Sequence, residues 1–583
     1  MVEPKHLTLE DLKAKIRAQG INRTPTVLPR VSPLSLPPSL PAIHFGNLPP
    51  SPESWRTNQI EVIEKIKRAF KGDTKVVVIS APTGFGKSLV NVAALHDNEG
   101  GYYLVTLTQL AEQIENDPLL RDSISIIKSM ENYPCVYEGY TRANVASAPC
   151  QLGAKIFPCN ESHDHAECGE KSTVCPLKSS GCTYYDAKRA AIGSKVAAGT
   201  VDYIGVAPGF QPRRVVVVDE AHDLENVGMR LVSLVFTERS LGGILWDEFH
   251  SKLEIVSDQN SLVSLLDNIQ ASAQSLLIRF LEKAKSELED GKRPSDELLK
   301  AIKLHETVIR KIGYAIEDMN ENRWVLISEK DRGVFVSLTA KPITVSGILR
   351  RWIGRLGDRY IFASATFPDT NGFLKDVGFD DLSVEVIEVE SDFPPENAPI
   401  FLGQDVPFYH KNKVAAQAYM LGGLEAVAEK NQTRGLIHSH SYEYQKYITT
   451  NASSALRARL VVHTRENREA TFLTWKRNGI KNSIFLSVNM TNGIDLPDDT
   501  CRWQFIWKTP FADIKDVQVA ARMEIDPSWY SRQATVALMQ ACGRAVRSKT
   551  DFADTFILDS RAAELLTQPS IPKWFKARLK TEW

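Results

Sequence analysis

Hydrophobic and polar positions follow two periods along this chain. From Trp55 the helical stretch WRTNQIEVIEKIKRAF leads into the apolar, β-branched run KVVVIS. A glycine-containing turn, the helical SLVNVAALH and a second strand in YYLVTL follow. VVVVDE is a further run of the kind expected for a buried parallel strand. Strand, crossover and strand repeating in this way predict an α/β fold with a doubly wound sheet. Between about Ser251 and Arg323 the period changes. Leu262, Leu265, Leu266, Ile269, Ala273, Leu276 and Phe280 recur at helical spacing, as do Leu299, Ile302, His305, Ile309, Ile312 and Ile316. GKRPSD separates the two series, which predicts an antiparallel helical hairpin whose stripes are packing core. Strand-like runs resume with GVFVSL, RYIFASAT, TRGLIHSHS and NSIFLSV, and imply a second α/β domain. Ahead of Trp55, LTLEDLKAKIRA reads as a short capped helix. The stretch after it is too rich in proline for helix or central strand and reads as an arm or leader.

The chain has 583 residues, enough for several domains, and its 43% hydrophobic and 24% charged content is that of an ordinary globular protein. A formal net charge of −1 removes bulk attraction to nucleic acid, so any such site must be a local basic groove. No run of about 18 apolar residues and no signal-peptide pattern is present, which points to a reducing, cytosol-like compartment. In that setting clustered cysteines bind metal more often than they form disulfides.

Three motifs carry chemistry. SAPTGFGKS, Ser80 to Ser88, is a turn that follows a strand and opens a helix. Its N–H groups converge where the helix N-terminus favours an anion. Gly84 and Gly86 let the backbone approach phosphate, with Thr83 in the same turn. Lys87 would reach the β- and γ-phosphates and Ser88 would hold Mg²⁺. Ala81 stands where the strict pattern has its first glycine. VVVVDEAH ends in Asp219, Glu220, Ala221 and His222, an acidic pair at the carboxyl end of an apolar strand, where open α/β sheets place ligands. Asp219 would complete the Mg²⁺ shell and Glu220 would orient or deprotonate the attacking water. In QACGRAVRS, Arg544 and Arg547 lie three apart and project from one helical face, which Gln540 shares. In a two-domain motor such arginines cross the cleft to the γ-phosphate.

Of the eight cysteines, Cys135, Cys150, Cys159, Cys168, Cys175 and Cys182 share one short stretch. With few histidines among them they favour a thiolate-only site, either zinc or an iron–sulfur cluster. The lack of a tight C-x-x-C pair argues against a zinc ribbon. His163 and His165 read as part of a polar loop, and Cys542 as a small packing residue. The tail KWFKARLK mixes bases and aromatics, as a nucleic-acid edge does; an amphipathic terminal helix is the simpler reading.

In order and spacing these motifs resemble the XPD/DinG family of superfamily 2 helicases, most closely its DinG-like phage and bacterial members, over roughly Trp55 to Ser560. ASATFP resembles the motif coupling hydrolysis to movement, and HSHSYEY the one opening the second motor domain. VNMTNGIDLP, with Thr491, Gly493 and Asp495, resembles the motif linking nucleotide and DNA sites. WRTNQ resembles the adenine-recognition element, with Gln59 and Arg56 as its base readers. A cysteine-rich insert after the P-loop and a helical insert after DEAH complete the pattern.

The resemblance implies two RecA-like motor domains behind a Pro-rich extension over 1–50. The first motor domain would occupy 51–134, 184–235 (with the DEAH box) and 331–380. It would be interrupted by a cysteine-rich iron–sulfur insert at 135–183 and a helical, arch-like insert at 236–330. The second motor domain would occupy 381–583. ATP with magnesium would lie between them. A [4Fe-4S] cluster would be held by Cys135, Cys150, Cys175 and Cys182, with Cys168 the rival fourth ligand. The activity implied is 5′→3′ translocation on single-stranded DNA with unwinding of tailed duplexes, in the cytoplasm of a bacterial or phage-infected cell. RNA remains an alternative polymer. The alternative activity is an ATP-gated translocase, remodelling or recruitment factor with little processive unwinding.

Overall fold

The computed structural model describes residues 55–136, 181–207, 209–290, 292, 294–488, 496–546 and 550–582. The proline-rich extension, Cys150, Cys159, Cys168, Cys175, His163, His165, Thr491, Gly493, Asp495 and Arg547 lie outside these residues.

The chain enters through helix α1 (Thr57–Lys71) and strand β1 (Val76–Ser80), and the P-loop then starts helix α2 (Lys87–Asp97). Strands β2 (Gly101–Val105), β3 (Ser125–Ile126), β4 (Val196–Thr200) and β5 (Arg213–Asp219) follow, then helix α3 (Leu224–Val232) and strand β6 (Leu234–Phe236). Two long helices, α4 (Gln259–Glu289) and α5 (Asp296–Met319), precede strands β7 (Trp324–Asp331), β8 (Val334–Pro342) and β9 (Gly357–Ser364). Helix α6 (Thr370–Val377) leads to strand β10 (Val384–Glu388).

Strands β1–β5, β9 and β10 form one sheet in the order β10-β1-β9-β5-β2-β4-β3, with every pairing parallel. Parallel strands covered on both faces should read as continuous apolar runs. β1 and β2 are buried along their whole length, and so are Val215–Asp219 of β5.

A second parallel sheet holds β11 (Ile400–Val406), β12 (Gly435–His438), β13 (Leu460–Val462), β14 (Ile484–Ser487), β15 (Trp503–Ile506), β16 (Asp554–Asp559) and β17 (Leu579–Lys580). Their order is β13-β14-β12-β15-β16-β11-β17. Helices α7 (Val517–Ile525) and α8 (Pro527–Cys542) lie between β15 and β16 in the chain. The two-sheet α/β organisation is therefore as expected.

The helical hairpin is present. Gln259 donates to the Met319 and Asn322 carbonyls and Gln270 to that of Ile309, which fixes α4 and α5 as antiparallel. Leu262, Leu266, Ile269 and Ala273 are fully buried in it, and Ile302 and His305 nearly so.

Three expectations need correction. GVFVSL does not continue the motor sheet: β8 pairs antiparallel with β6 and β7 in a small separate sheet beside the hairpin. Alternation identified the strand but carries no information about its partner. The first sheet also runs on past residue 380, because β10 pairs with β1. The tail is not an amphipathic helix. Lys573–Lys576 makes a single helical turn, and β17 then pairs with β11, so Lys580 ends at a sheet edge.

Candidate functional site

The site forms at the carboxyl ends of the central strands of the first sheet. Ser80 of β1 lies opposite Ser364 of β9, and Ala363 opposite Asp219 of β5, so three loops leave the sheet side by side. The first is the P-loop. Gly84 and Gly86 have φ of 80° and 86°, left-handed values that glycine adopts without strain, and Gly86 caps α2. A β-carbon at Gly86 would come within 2.5 Å of the Gln59 amide. Ala81 is buried and outside the positive-φ region, so nothing there requires glycine.

Lys87 is held by both loops: its Nζ is 3.5 Å from the Ala81 carbonyl and 3.7 Å from Glu220 Oε1. Ser88 Oγ donates to Asp219 Oδ2 at 3.4 Å, and Tyr103 OH donates to the same oxygen at 2.5 Å. Burial, with the Glu220 charge beside it, raises the Asp219 carboxyl above its ordinary range. A dication between Ser88 and Asp219 would reverse that, so this donor pair fits Mg²⁺.

Glu220 sits at φ 48°, ψ 44°, a left-handed conformation costing a non-glycine residue roughly 1–3 kcal/mol. Burial pushes its carboxyl up, but Lys87, His222 and Arg544 together outweigh burial and hold it well below the usual range. It is thus a carboxylate at neutral pH. His222 Nδ1 is 2.6 Å from Ser364 Oγ and 3.3 Å from Glu220 Oε2. Its other ring nitrogen meets the side-chain amide of Gln540 from the second domain.

Gln540 and Arg544 thus approach from α8 and the turn after it, and join Thr83, Glu220, His222 and Trp574 around a cavity of about 220 Å³. One detail differs from the sequence reading. α8 ends at Cys542, and the Gly543 N–H bonds the Gln540 carbonyl, which tightens the last turn. Arg544 therefore reaches the site from beyond the helix and not from its face. Cys542 is buried in the core, as expected of a packing residue.

Gln59 and Arg56 are both engaged with the P-loop. Gln59 Nε2 donates to the Phe85 carbonyl at 2.6 Å, and its Oε1 accepts from the Arg56 N–H at 3.0 Å. Arg56 donates to the Gly84 carbonyl at 2.7 Å and lies 3.7 Å from Asp392. Tyr103, Trp574 and Arg578 also belong to the site. Tyr103 carries no signal beyond its strand position, and Trp574 and Arg578, from the basic and aromatic tail KWFKARLK, line the cavity from the far end of the chain.

Residues 424–578 match the helicase C-terminal domain family. A solved XPD helicase aligns with 91% of this chain and 100% of its own at a TM-score of 0.59 and 15% identity. Xpd4 of S. tokodaii aligns with 91% and 100% at a TM-score of 0.53 and 13% identity. The regulator of telomere elongation helicase 1 of Bos taurus is 26% identical over 17% of this chain and 10% of its own length. The chain is thus similar in fold to XPD helicases, and its residues 424–578 are those of a helicase C-terminal domain. It matches only about a tenth of the length of such curated relatives.

Of the four cysteines expected from the sequence to hold an iron–sulfur cluster, two lie among the described residues. Cys135 and Cys182 are both buried. Tyr133 and Tyr184, each two residues from one of these cysteines, pack edge to face at 5.6 Å, which gathers the two ends of the insert at one place. Cys182 also occupies the N-cap position of the helix Thr183–Gly193. Both could serve as thiolate ligands, and among the described residues no group of three possible metal ligands comes together. No helix among the described residues is long and apolar enough to cross a membrane.

Proposed function

We propose that this chain is an ATP-dependent DNA helicase that translocates 5′→3′ on single-stranded DNA and unwinds tailed duplexes. The observation that carries the reading is the cleft itself. Lys87, Asp219, Glu220 and His222 from one domain face Gln540 and Arg544 from the other. ATP binds there, with its phosphates on the P-loop and Mg²⁺ on Ser88 and Asp219. Glu220 orients the attacking water, and Arg544, with Arg547, offsets charge on the γ-phosphate. Gly493 and Asp495 link this site to the nucleic acid, and Arg56 and Gln59 brace the P-loop that holds the phosphates. Hydrolysis changes how far the domains close, and with it each domain's grip on backbone phosphates.

Cys135, Cys150, Cys175 and Cys182 would hold a [4Fe-4S] cluster that ties the insert together; the polarity is inherited from the family likeness. The test pairs a single-strand-stimulated ATPase assay with strand displacement on 5′- and 3′-tailed duplexes. Arg544→Ala should slow hydrolysis by about 10³–10⁵. Parent-rate hydrolysis in that variant would refute the cleft. Unwinding of 3′-tailed duplexes alone would refute the polarity, and stimulated ATPase without strand displacement would favour a translocase.

A further inference from the structure

The two motor domains also meet away from the nucleotide cleft, through a buried cluster of charges. Glu225 lies on α3, three residues beyond His222, and Asp376 lies on α6; both belong to the first domain. Arg522 on α7 and Arg532 on α8 belong to the second. All four are less than a tenth exposed. Glu225 Oε1 accepts from Arg522 Nε at 3.3 Å, and its Oε2 accepts from Trp529 Nε1 at 2.8 Å and Gln533 Nε2 at 3.0 Å. Asp376 accepts from Arg532 in a bidentate fork, Nη2 to Oδ1 at 3.1 Å and Nε to Oδ2 at 3.2 Å, and also pairs with Arg522. Asp526 within the second domain closes the set on Arg532 at 2.9 Å.

A buried ion network is weak evidence for stability, since a well-packed apolar contact of the same volume often does as well. Its distinctive property is orientation. A guanidinium fork matches a carboxylate in one geometry, and leaving either partner unpaired is strongly unfavourable. The contacts here fall on one face of α8. Trp529, Arg532 and Gln533 sit near its start, and Gln540 lies seven residues past Gln533, two turns or about 10 Å along. Fixing the first half of α8 against Glu225 and Asp376 therefore fixes where Gln540 and Arg544 arrive. Glu225 follows the DEAH motif directly, so the same short segment carries both the water-orienting carboxylate and the anchor for the opposing arginine.

We propose that Glu225, Asp376, Arg522 and Arg532 form an interdomain pivot of positioning residues that sets the register of α8, so that Gln540 and Arg544 reach the phosphate site. The pivot rests on the ATP-cleft reading above, but the geometry it controls can be measured without ATP. Arg532→Lys keeps the charge and removes the fork, and Glu225→Gln keeps the shape and removes the charge; either serves if the other fails to fold. In the full chain, kcat for ATP hydrolysis should fall 10- to 100-fold with KM for ATP within about threefold. Combining either change with Arg544→Ala should slow hydrolysis no further than Arg544→Ala alone. Distances between spin labels carried on unnatural side chains at Glu61 and Arg477 should broaden in the variant without nucleotide.

Additive losses in the double variant, or a lowered melting temperature with unchanged kcat and label distances, would overturn the pivot. A parent protein with no ATPase would remove the cleft reading instead. The label distances would then decide the pivot alone, and an unbroadened distribution would sink it.

Discussion

Gln59 offers a sharp test, because the likeness to an adenine-recognition element and the observed geometry predict different phenotypes for its loss. The side chain is 4% exposed, and both of its polar ends are bound to backbone: Nε2 to the Phe85 carbonyl and Oε1 to the Arg56 N–H. Gly86 packs so closely on the amide that a β-carbon there would lie 2.5 Å from it. Gln59 thus braces the P-loop in the conformation that presents its N–H groups. Gln59→Ala removes two hydrogen bonds, each worth about 1 kcal/mol net, and orphans a buried carbonyl at a further cost of about 1–3 kcal/mol. Part of this is recovered when phosphate reorders the loop, leaving about 1.5–3 kcal/mol, or roughly 10- to 100-fold in nucleotide affinity. The P-loop holds phosphates and not bases, so ATP, GTP, CTP and ADP should weaken by similar factors. Competition against a fluorescent nucleotide in the presence of Mg²⁺ measures this across the panel. If ATP and ADP weaken while GTP and CTP keep their affinity, Gln59 reads the base and the brace is wrong.

Three further outcomes can be measured. Lys87→Ala should abolish ATP hydrolysis, whereas Glu220→Gln should retain nucleotide binding and slow cleavage sharply; equilibrium binding beside steady-state hydrolysis separates the two. His438 is buried beneath the second sheet's site edge, and burial, outweighing its contact with Gln504, lowers its pKa to about 4 against 6.5 when unfolded. The unfolded chain therefore binds the extra proton between those values. The contribution of His438 to stability is complete above pH 6.5 and is lost as pH falls toward 4, by on the order of 3 kcal/mol. His438→Gln should flatten the urea-unfolding profile between pH 6.5 and 5, and an unchanged slope would contradict it. For the insert, Cys135→Ser, Cys150→Ser, Cys175→Ser and Cys182→Ser, purified without oxygen, should each lose iron, while Cys159→Ser and Cys168→Ser keep it. Iron loss in Cys168→Ser with retention in Cys150→Ser would move the fourth ligand, and zinc without iron in the parent would replace the cluster with a zinc staple.

What the sequence could and could not reveal divides along the range of the interaction involved. The P-loop is a strand, a tight turn and a helix start within thirteen residues, Val76 to Ser88, and its glycines are required by backbone angles that the local chain sets. The acidic pair of the DEAH box ends a run whose continuous apolarity follows from burial on both faces. Both were legible for that reason. Partner choice is not local. GVFVSL alternates like any half-buried strand, and only the tertiary structure assigns it to β6 and β7. Arg544 and Arg547 share a helical face only if the helix continues, and Gly543 is a weak helix former at the point where it stops. Tyr103 carries no motif, yet its hydroxyl donates to the same oxygen of Asp219 as Ser88 does. The longest reach is that of Glu225, which meets Arg522, Trp529 and Gln533 some three hundred residues away. A charge beside a catalytic motif ordinarily reads as part of a solvated face. Here burial of Glu225 together with Arg522 and Trp529 turns it into an orienting contact, and the proposed pivot requires α8 to arrive in register from the other domain.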